Sequence, residues 1–534
     1  MLAALVTAGC GSSRSPLAAP GGGSSTPAST SPGSTSPAST GGHGTTTPSS
    51  TSPPSTTRSS PDTSTPTTSP SSPRASKLRW SACRGGRGPS GYQCATLLVP
   101  LDYADPGKGT IGIALDRRVA SGSAIGSLLI NPGGPGVSGV DFLPQLASEM
   151  PADVLDHFNV VGFDPRGVDR SDPVTCGDGP QLDAELDVNP APTTGAGWTA
   201  LIHADRAFVA GCEARSRAVL PYVGTRNAAR DMDRIRSALG DPKLNYLGFS
   251  YGTELGAVYA DMFPTHIRTM VLDGALDPEL GEVATVDQQS AALENELGAF
   301  FRSCDNGGCG WDPAGGPAAA FKHLYEQVTA HPMAVSGTTQ TVGPAAFLYA
   351  AAAALYSQQT WPYLGAALTA LQRGNGSFIL QLFDSYLGRS SNGTYSNEVE
   401  AETAIDCDDS PSPSLSALRA DGPAAQRGAP YFGLLDLYSA ATCDLWPVKP
   451  TLGTGPIHAD GSPPIVVVGS TEDPITPYAW AKSLAGQLQH GVLLTRDGYG
   501  HTGYEYSACI RNDVDAYLLR GTVPARGTTC PSNS

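Results

Sequence analysis

The sequence predicts an α/β fold with a mostly parallel central sheet, and three features of the chain predict it. Short apolar runs recur, at 127–131, 158–163, 244–247, 269–273, 464–469 and 491–495. Runs of that length suit strands buried on both faces. Helical patterns separate some of them, as over 228–239 and 479–488. Strand and helix in alternation imply a parallel sheet covered on both sides. Finally, a strand-like Leu244-Asn245-Tyr246-Leu247 runs into Gly248-Phe249-Ser250-Tyr251-Gly252, and a helix-like stretch from Thr253 to Ala260 runs out. Strand, G-x-S-x-G and helix in that order describe a nucleophile elbow. The glycines are needed because the turn is sharp and larger side chains would collide with the adjoining strand and helix. Ser250 is thereby pushed out at the carboxyl end of the sheet.

Read from the start, the chain divides by composition. Residues 1–10 are apolar and end in Thr7-Ala8-Gly9-Cys10, similar to a lipoprotein cleavage box. Cys10 is the candidate lipid-bearing residue. The usual Leu is absent at Thr7, and no basic region precedes the short apolar run, as expected if the true start lies upstream. Residues 11–76 are almost wholly Ser, Thr, Pro, Gly and Ala, with no aromatic. Such a segment cannot bury enough apolar surface to offset its ordering entropy and is expected to be a disordered tether. Its end-to-end distance would be on the order of 45 Å. Ordered sequence is expected from Lys77, with early antiparallel strands near 95–101 and 110–115. Residues 77–280 and 456–534 carry the strand and helix alternation. Residues 281–455 read as mostly helical, including 288–304 and the Ala-rich 345–356. They are expected to form an inserted helical cap over the carboxyl edge of the sheet. The Ala-rich run is too short and too often interrupted to span a bilayer.

The 534 residues carry a net charge of −16. No basic stripe is present to neutralise phosphates, which argues against a nucleic-acid partner. Of the 11 cysteines, setting Cys10 aside leaves an even number, suited to an oxidising compartment. They fall in neighbours: Cys83 and Cys94, Cys176 and Cys212, Cys304 and Cys309, Cys407 and Cys443, Cys509 and Cys530. Sequence does not prove connectivity, and local pairing is the simplest arrangement. No C-x-x-C or clustered histidine accompanies them, so no metal site is expected. The expected location is secreted, or lipid-anchored at the outer face of the bacterial cytoplasmic membrane. The oligomeric state is not readable.

A serine nucleophile needs a base, and the base needs an orienting acid. His501 lies in a loop just after the last long strand, within Gly498-Tyr499-Gly500-His501-Thr502-Gly503. Asp473 follows the 465–469 run and precedes His501, giving the order Ser, Asp, His. Glu472, Asp497 and Asp273 are competing acids. The oxyanion of a tetrahedral intermediate needs amide donors. The Tyr251 amide is one candidate. Asn131-Pro132-Gly133-Gly134-Pro135-Gly136 follows an earlier strand and offers Gly134, or failing it Gly133, as the second; Pro135 has no donor.

Together these segments resemble a known family. Asn131 to Gly139, Asp164-Pro165-Arg166-Gly167, Gly248 to Thr253, Val271-Leu272-Asp273-Gly274, Asp473 to Thr476 and Gly500-His501 are similar to the exported tripeptidyl aminopeptidases, over about residues 78–534. Those are α/β-hydrolase serine exopeptidases related to proline iminopeptidases. The resemblance implies the α/β-hydrolase fold, with Ser250, Asp473 and His501 as triad and no metal or organic cofactor. Asp169-Arg170 departs from the family pattern, where a small Gly is common, and puts local loop packing in question. An aminopeptidase must also bind a free ammonium, which carboxylates facing the cleft would do. Ala404-Ile405-Asp406-Cys407-Asp408-Asp409 is similar to the family's acidic pattern, with Asp409 the best match and Asp406 second. Glu254, on the elbow helix, reads as structural or exposed.

The expected activity is release of short peptides from free N-termini through an acyl-enzyme, with a peptide or small acyl substrate as partner. A carboxylesterase or lipase would share the triad and differ in the cap, where an apolar groove would replace acidic anchors. A non-catalytic envelope binding protein would have a degenerate site.

Overall fold

The computed structural model describes residues 78–83 and 91–532. Cys10 and the 11–76 segment therefore lie outside the described residues. Ten strands form one sheet: β1 (Ser81–Ala82), β2 (Gln93–Pro100), β3 (Thr110–Arg118), β4 (Gly126–Asn131), β5 (Phe158–Phe163), β6 (Leu244–Phe249), β7 (Ile267–Asp273), β8 (Ile465–Glu472), β9 (Gly491–Tyr499) and β10 (Thr529–Cys530). Their spatial order is β1-β2-β3-β5-β4-β6-β7-β8-β9-β10. The pairings up to β3 with β5 are antiparallel, and every pairing beyond is parallel. This is the α/β-hydrolase arrangement that the sequence predicts.

Both faces of the sheet are covered, which is why its central strands read as unbroken apolar runs. Along β4, Leu128 and Ile130 enter one hydrophobic cluster and Leu129 enters the other. Successive side chains of a strand point to opposite faces, so a short apolar run feeds two cores. The helices Gly139–Glu149 and Ala508–Arg520 cover the first face, through residues such as Leu143 and Val514. The helices Thr225–Leu239, Tyr251–Met262 and Tyr478–Gln487 cover the second.

The chain doubles back at β4, which sits between β5 and β6. Ligands of open α/β sheets bind outside the carboxyl ends of strands where the order reverses. Asn131 pairs in register with Gly248. The Gly-Pro loop after β4 and the elbow after β6 therefore leave the same edge side by side.

Between β7 and β8 the described chain is mostly helical, from Glu282–Asp305 to Ala441–Asp444. Helix Pro344–Leu355 is buried along its whole length. A helix apolar all round has no solvent face to offer and belongs in a core. Among the described residues no helix is long and apolar enough to cross a membrane. Disulfides join Cys83 to Cys94, Cys176 to Cys212, Cys304 to Cys309, Cys407 to Cys443 and Cys509 to Cys530. Cys407–Cys443 ties helix Glu398–Asp409 to helix Ala441–Asp444, and Cys176–Cys212 ties helix Gly195–Ser216 to the loop before helix Gly179–Leu186.

The loop at Asp169-Arg170, in question from the sequence, is held from several sides. Asp169 takes φ +37°, and its amide donates to Asn397 Oδ1 at 2.7 Å. Arg170 Nη2 donates to Asp141 Oδ1 at 2.9 Å.

Candidate active site

Ser250 sits between β6 and helix Tyr251–Met262 with φ +53° and ψ −126°, a conformation rare for any residue with a side chain. Its amide donates to Asp273 O at 2.9 Å, and its carbonyl accepts from Thr253 N at 2.8 Å. The flanking glycines have no room for a side chain. A Cβ on Gly248 would lie 2.5 Å from Gly252 O, and one on Gly252 would lie 2.8 Å from Asn131 Oδ1. The elbow is thus packed against the Asn131 loop, and the G-x-S-x-G spacing has a steric cause.

His501 is 3% exposed and its ring meets Asp473, with Nδ1 3.0 Å from Oδ1 and 3.1 Å from Oδ2. Asp473 is fixed in turn. Its Oδ1 accepts from the amides of Ile475 and Thr476, each at 2.9 Å, and its Oδ2 accepts from Thr476 Oγ1 at 3.0 Å and Thr502 N at 3.3 Å. A carboxylate on Nδ1 holds the neutral ring with its proton there, which leaves Nε2 with a lone pair. Nε2 is buried and makes no hydrogen bond. His501 N donates to Tyr356 O at 2.9 Å, and the Tyr356 ring stands edge-on to the imidazole, 5.6 Å between centroids. The Ala-rich helix of the insertion therefore ends against the histidine loop.

The competing acids lie elsewhere. Asp273 accepts from Gly503 N and Tyr504 N, both at 2.8 Å, and so holds the backbone beyond His501 rather than the ring. Burial pushes its carboxyl up to about 6. Asp497 accepts from Thr471 Oγ1, and Glu472 is an exposed residue at the end of β8.

Gly133 and Gly134 take φ +102° and +106°. The Gly133 amide donates to Asn131 Oδ1 at 3.0 Å. Gly134 lines a cavity beside Ser250 and Tyr251. Tyr251 opens its helix, where the first amides have no intrahelical acceptor.

That cavity, of about 180 Å³, runs from Ser250 into the helical insertion, and its walls carry Glu254, Glu282, Glu402, Asp406, Asp409 and Asp436. Among the described residues lining it there is no lysine or arginine. Burial pushes Glu254 up to about 8, with Asp409 and Glu282 adding to it. Burial pushes Asp409 and Asp436 each up to about 7 and Asp406 well above the ordinary carboxylate range. Crowded carboxyls without a cation hold protons they would lose in water. Asp406 presents its side chain to the cavity space. Asp409 is more committed: Oδ1 accepts from Thr225 N at 2.8 Å and Oδ2 from Thr225 Oγ1 at 2.5 Å. Because that hydroxyl gives its one proton to Asp409, Tyr251 Oη is the donor in the short contact it makes with Thr225 Oγ1. The elbow and the insertion are joined through this chain.

Glu254, which the sequence assigns to a structural or exposed place, is a cavity wall. A signal is present in the sequence: Glu254 lies in the first turn of the helix that Ser250 leads into, four residues beyond the nucleophile. The cluster Cys509, Asp513 and Cys530 gathers metal-ligand types, but both its sulfurs are in a disulfide.

Curated relatives match the chain over most of its length. The serine protease Hip1 of Mycobacterium tuberculosis is 37% identical over 475 residues, covering 85% of this chain and 91% of its own. A tripeptidyl aminopeptidase of Streptomyces coelicolor is 32% identical over 458 residues, 83% of each chain. This chain belongs to the tripeptidyl aminopeptidase family of α/β-hydrolases. A family model described as TAP-like protein matches residues 429–530, the part that holds Asp473 and His501. The family also takes in a protein named carboxylesterase B from M. tuberculosis, 36% identical over 475 residues, covering 85% of this chain and 90% of its own. The family is therefore one of serine hydrolases, and the cavity at Ser250 has to distinguish among its members.

Proposed function

We propose that this chain is an exported serine aminopeptidase that releases tripeptides from free N-termini through an acyl-enzyme. The carrying observation is the acidic cavity that begins at Ser250 and contains no basic residue among its described walls. A carboxylate-lined enclosure disfavours acyl chains, whereas a peptide ammonium would restore the charge its acids lack.

In this reading Ser250 Oγ attacks the scissile carbonyl and His501 Nε2 takes its proton. Asp473 holds the ring and stabilises the imidazolium. The amides of Tyr251 and Gly134 donate to the oxyanion, where charge develops only in the transition state. His501 then protonates the leaving amine, the peptidyl group stays on Ser250 as an ester, and water activated by His501 releases it. Asp406 is the first ammonium anchor and Asp409 the second, since Thr225 already occupies both oxygens of Asp409. Five disulfides among the described residues support folding in an oxidising compartment.

The test is turnover of a free and an N-acetylated tripeptidyl arylamide. The free amine should be favoured roughly hundredfold in kcat/KM, the scale of a buried charged hydrogen bond and its lost partner. The ratio should rise from pH 5 to about 7 as the wall carboxyls ionise, and fall above about 8 as the peptide amine loses its proton. Equal turnover of the two, with good turnover of simple esters, would mean an esterase.

A further inference from the structure

A second compartment adjoins the first, and Glu282, Tyr349, Glu402 and Asp406 line both. It is also lined by two acids that the first compartment lacks, Glu185 from helix Gly179–Leu186 and Asp205 from helix Gly195–Ser216. Asp205 is 4% exposed, and its Oδ2 has no hydrogen-bond partner. A buried carboxylate oxygen left unpaired is costly, and native structures seldom keep one without use. Leu186, Leu201 and Phe208 add apolar surface to the same lining. No lysine or arginine lines the compartment among the described residues. Burial, with Asp205 adding, pushes Glu185 up to about 8, and burial pushes Asp205 up to about 7.

Apolar side chains and a carboxyl pair in one compartment match one kind of side chain: a hydrocarbon stem with a cationic head. The geometry points to this compartment as a specificity site for a lysine or arginine side chain on the first residue of the substrate. The assignment rests on the aminopeptidase reading. The peptide ammonium sits at the shared wall, by Asp406 and Glu402, and only the side chain of that same residue continues toward Asp205 and Glu185. The stem packs on Leu201 and Phe208, and the head donates to the free Asp205 Oδ2 and to Glu185.

Tripeptidyl arylamides differing only at the first residue provide the test: lysine against norleucine, and arginine against citrulline. Wild-type protein should favour the cationic member of each pair by roughly tenfold or more in kcat/KM. In Asp205→Asn and in Glu185→Gln the lysine-to-norleucine ratio should fall toward one. A ratio is insensitive to a general loss of folded protein, and either variant suffices if the other does not fold. A wild-type ratio near one overturns the assignment, as does a ratio unchanged in both variants. The N-acetyl norleucine peptide separates the two levels. If it is turned over as well as its free form, the aminopeptidase reading has failed; if it is rejected while lysine gains nothing, only the second compartment has been misassigned.

Discussion

Ser250→Ala should lower kcat for a tripeptidyl arylamide by about a million-fold, the scale seen when a serine nucleophile is removed from an assembled triad. The remaining rate would come from binding and from the Tyr251 and Gly134 amides alone. Ser250 is 7% exposed, and the backbone hydrogen bonds that hold it do not involve its hydroxyl, so the melting temperature should stay within a few degrees. The measurement is stopped assay and thermal melt on the same preparation. Retention of even a hundredth of the activity would place the nucleophile elsewhere. The strained backbone of the elbow is set by the glycines, the Asp273 carbonyl and the Thr253 amide, and all of these survive the substitution.

Asp473→Asn should cost roughly ten-thousand-fold in kcat, because an amide in that place favours the wrong imidazole tautomer. The structure adds a second cost. Both carboxylate oxygens of Asp473 are acceptors, for Ile475 N, Thr476 N, Thr476 Oγ1 and Thr502 N. An asparagine turns one of these sites into a donor facing donors, and a buried donor left unpaired costs about 1–3 kcal/mol. Activity and melting temperature should therefore fall together, unlike in Ser250→Ala. A loss of less than tenfold would shift the orienting role to another acid, of which Asp273 is nearest in the chain fold to the histidine loop.

The sheet was legible because burial on both faces leaves a plain mark. Val466, Val467 and Val468 are wholly buried, and no polar residue interrupts them. The elbow was legible because each of its glycines answers a clash of under 3 Å. The Ala-rich 345–356 stretch was recognisable as a helix, but its place, ending with Tyr356 O on the His501 amide, was not. Contacts between segments far apart in sequence leave no local trace. The same holds for Glu254. Charge on an early helical turn ordinarily means solvent, and only the arrival of Asp406 and Asp409 from another helix turns that face into a cavity wall. Helix Gly195–Ser216 escaped the sequence reading altogether. It starts at Gly-Ala-Gly and carries Asp205 among its buried residues beside Leu201, Ile202 and Phe208, so its pattern lacks a clean apolar stripe. Asp205, proposed to take a cationic side chain, sits where the apolar pattern of its helix is broken, as expected where function overrides packing.

The proposed activity requires one covalent event, the transfer of a free N-terminal peptide to Ser250 inside the acid-lined cavity. Mass spectrometry of protein quenched during turnover of a tripeptidyl aryl ester measures that event directly. A tripeptidyl adduct should appear on the proteolytic fragment containing Ser250 with the free-amine ester and be nearly absent with its N-acetylated counterpart. Equal labelling by both esters, or an adduct on any other residue, would contradict it.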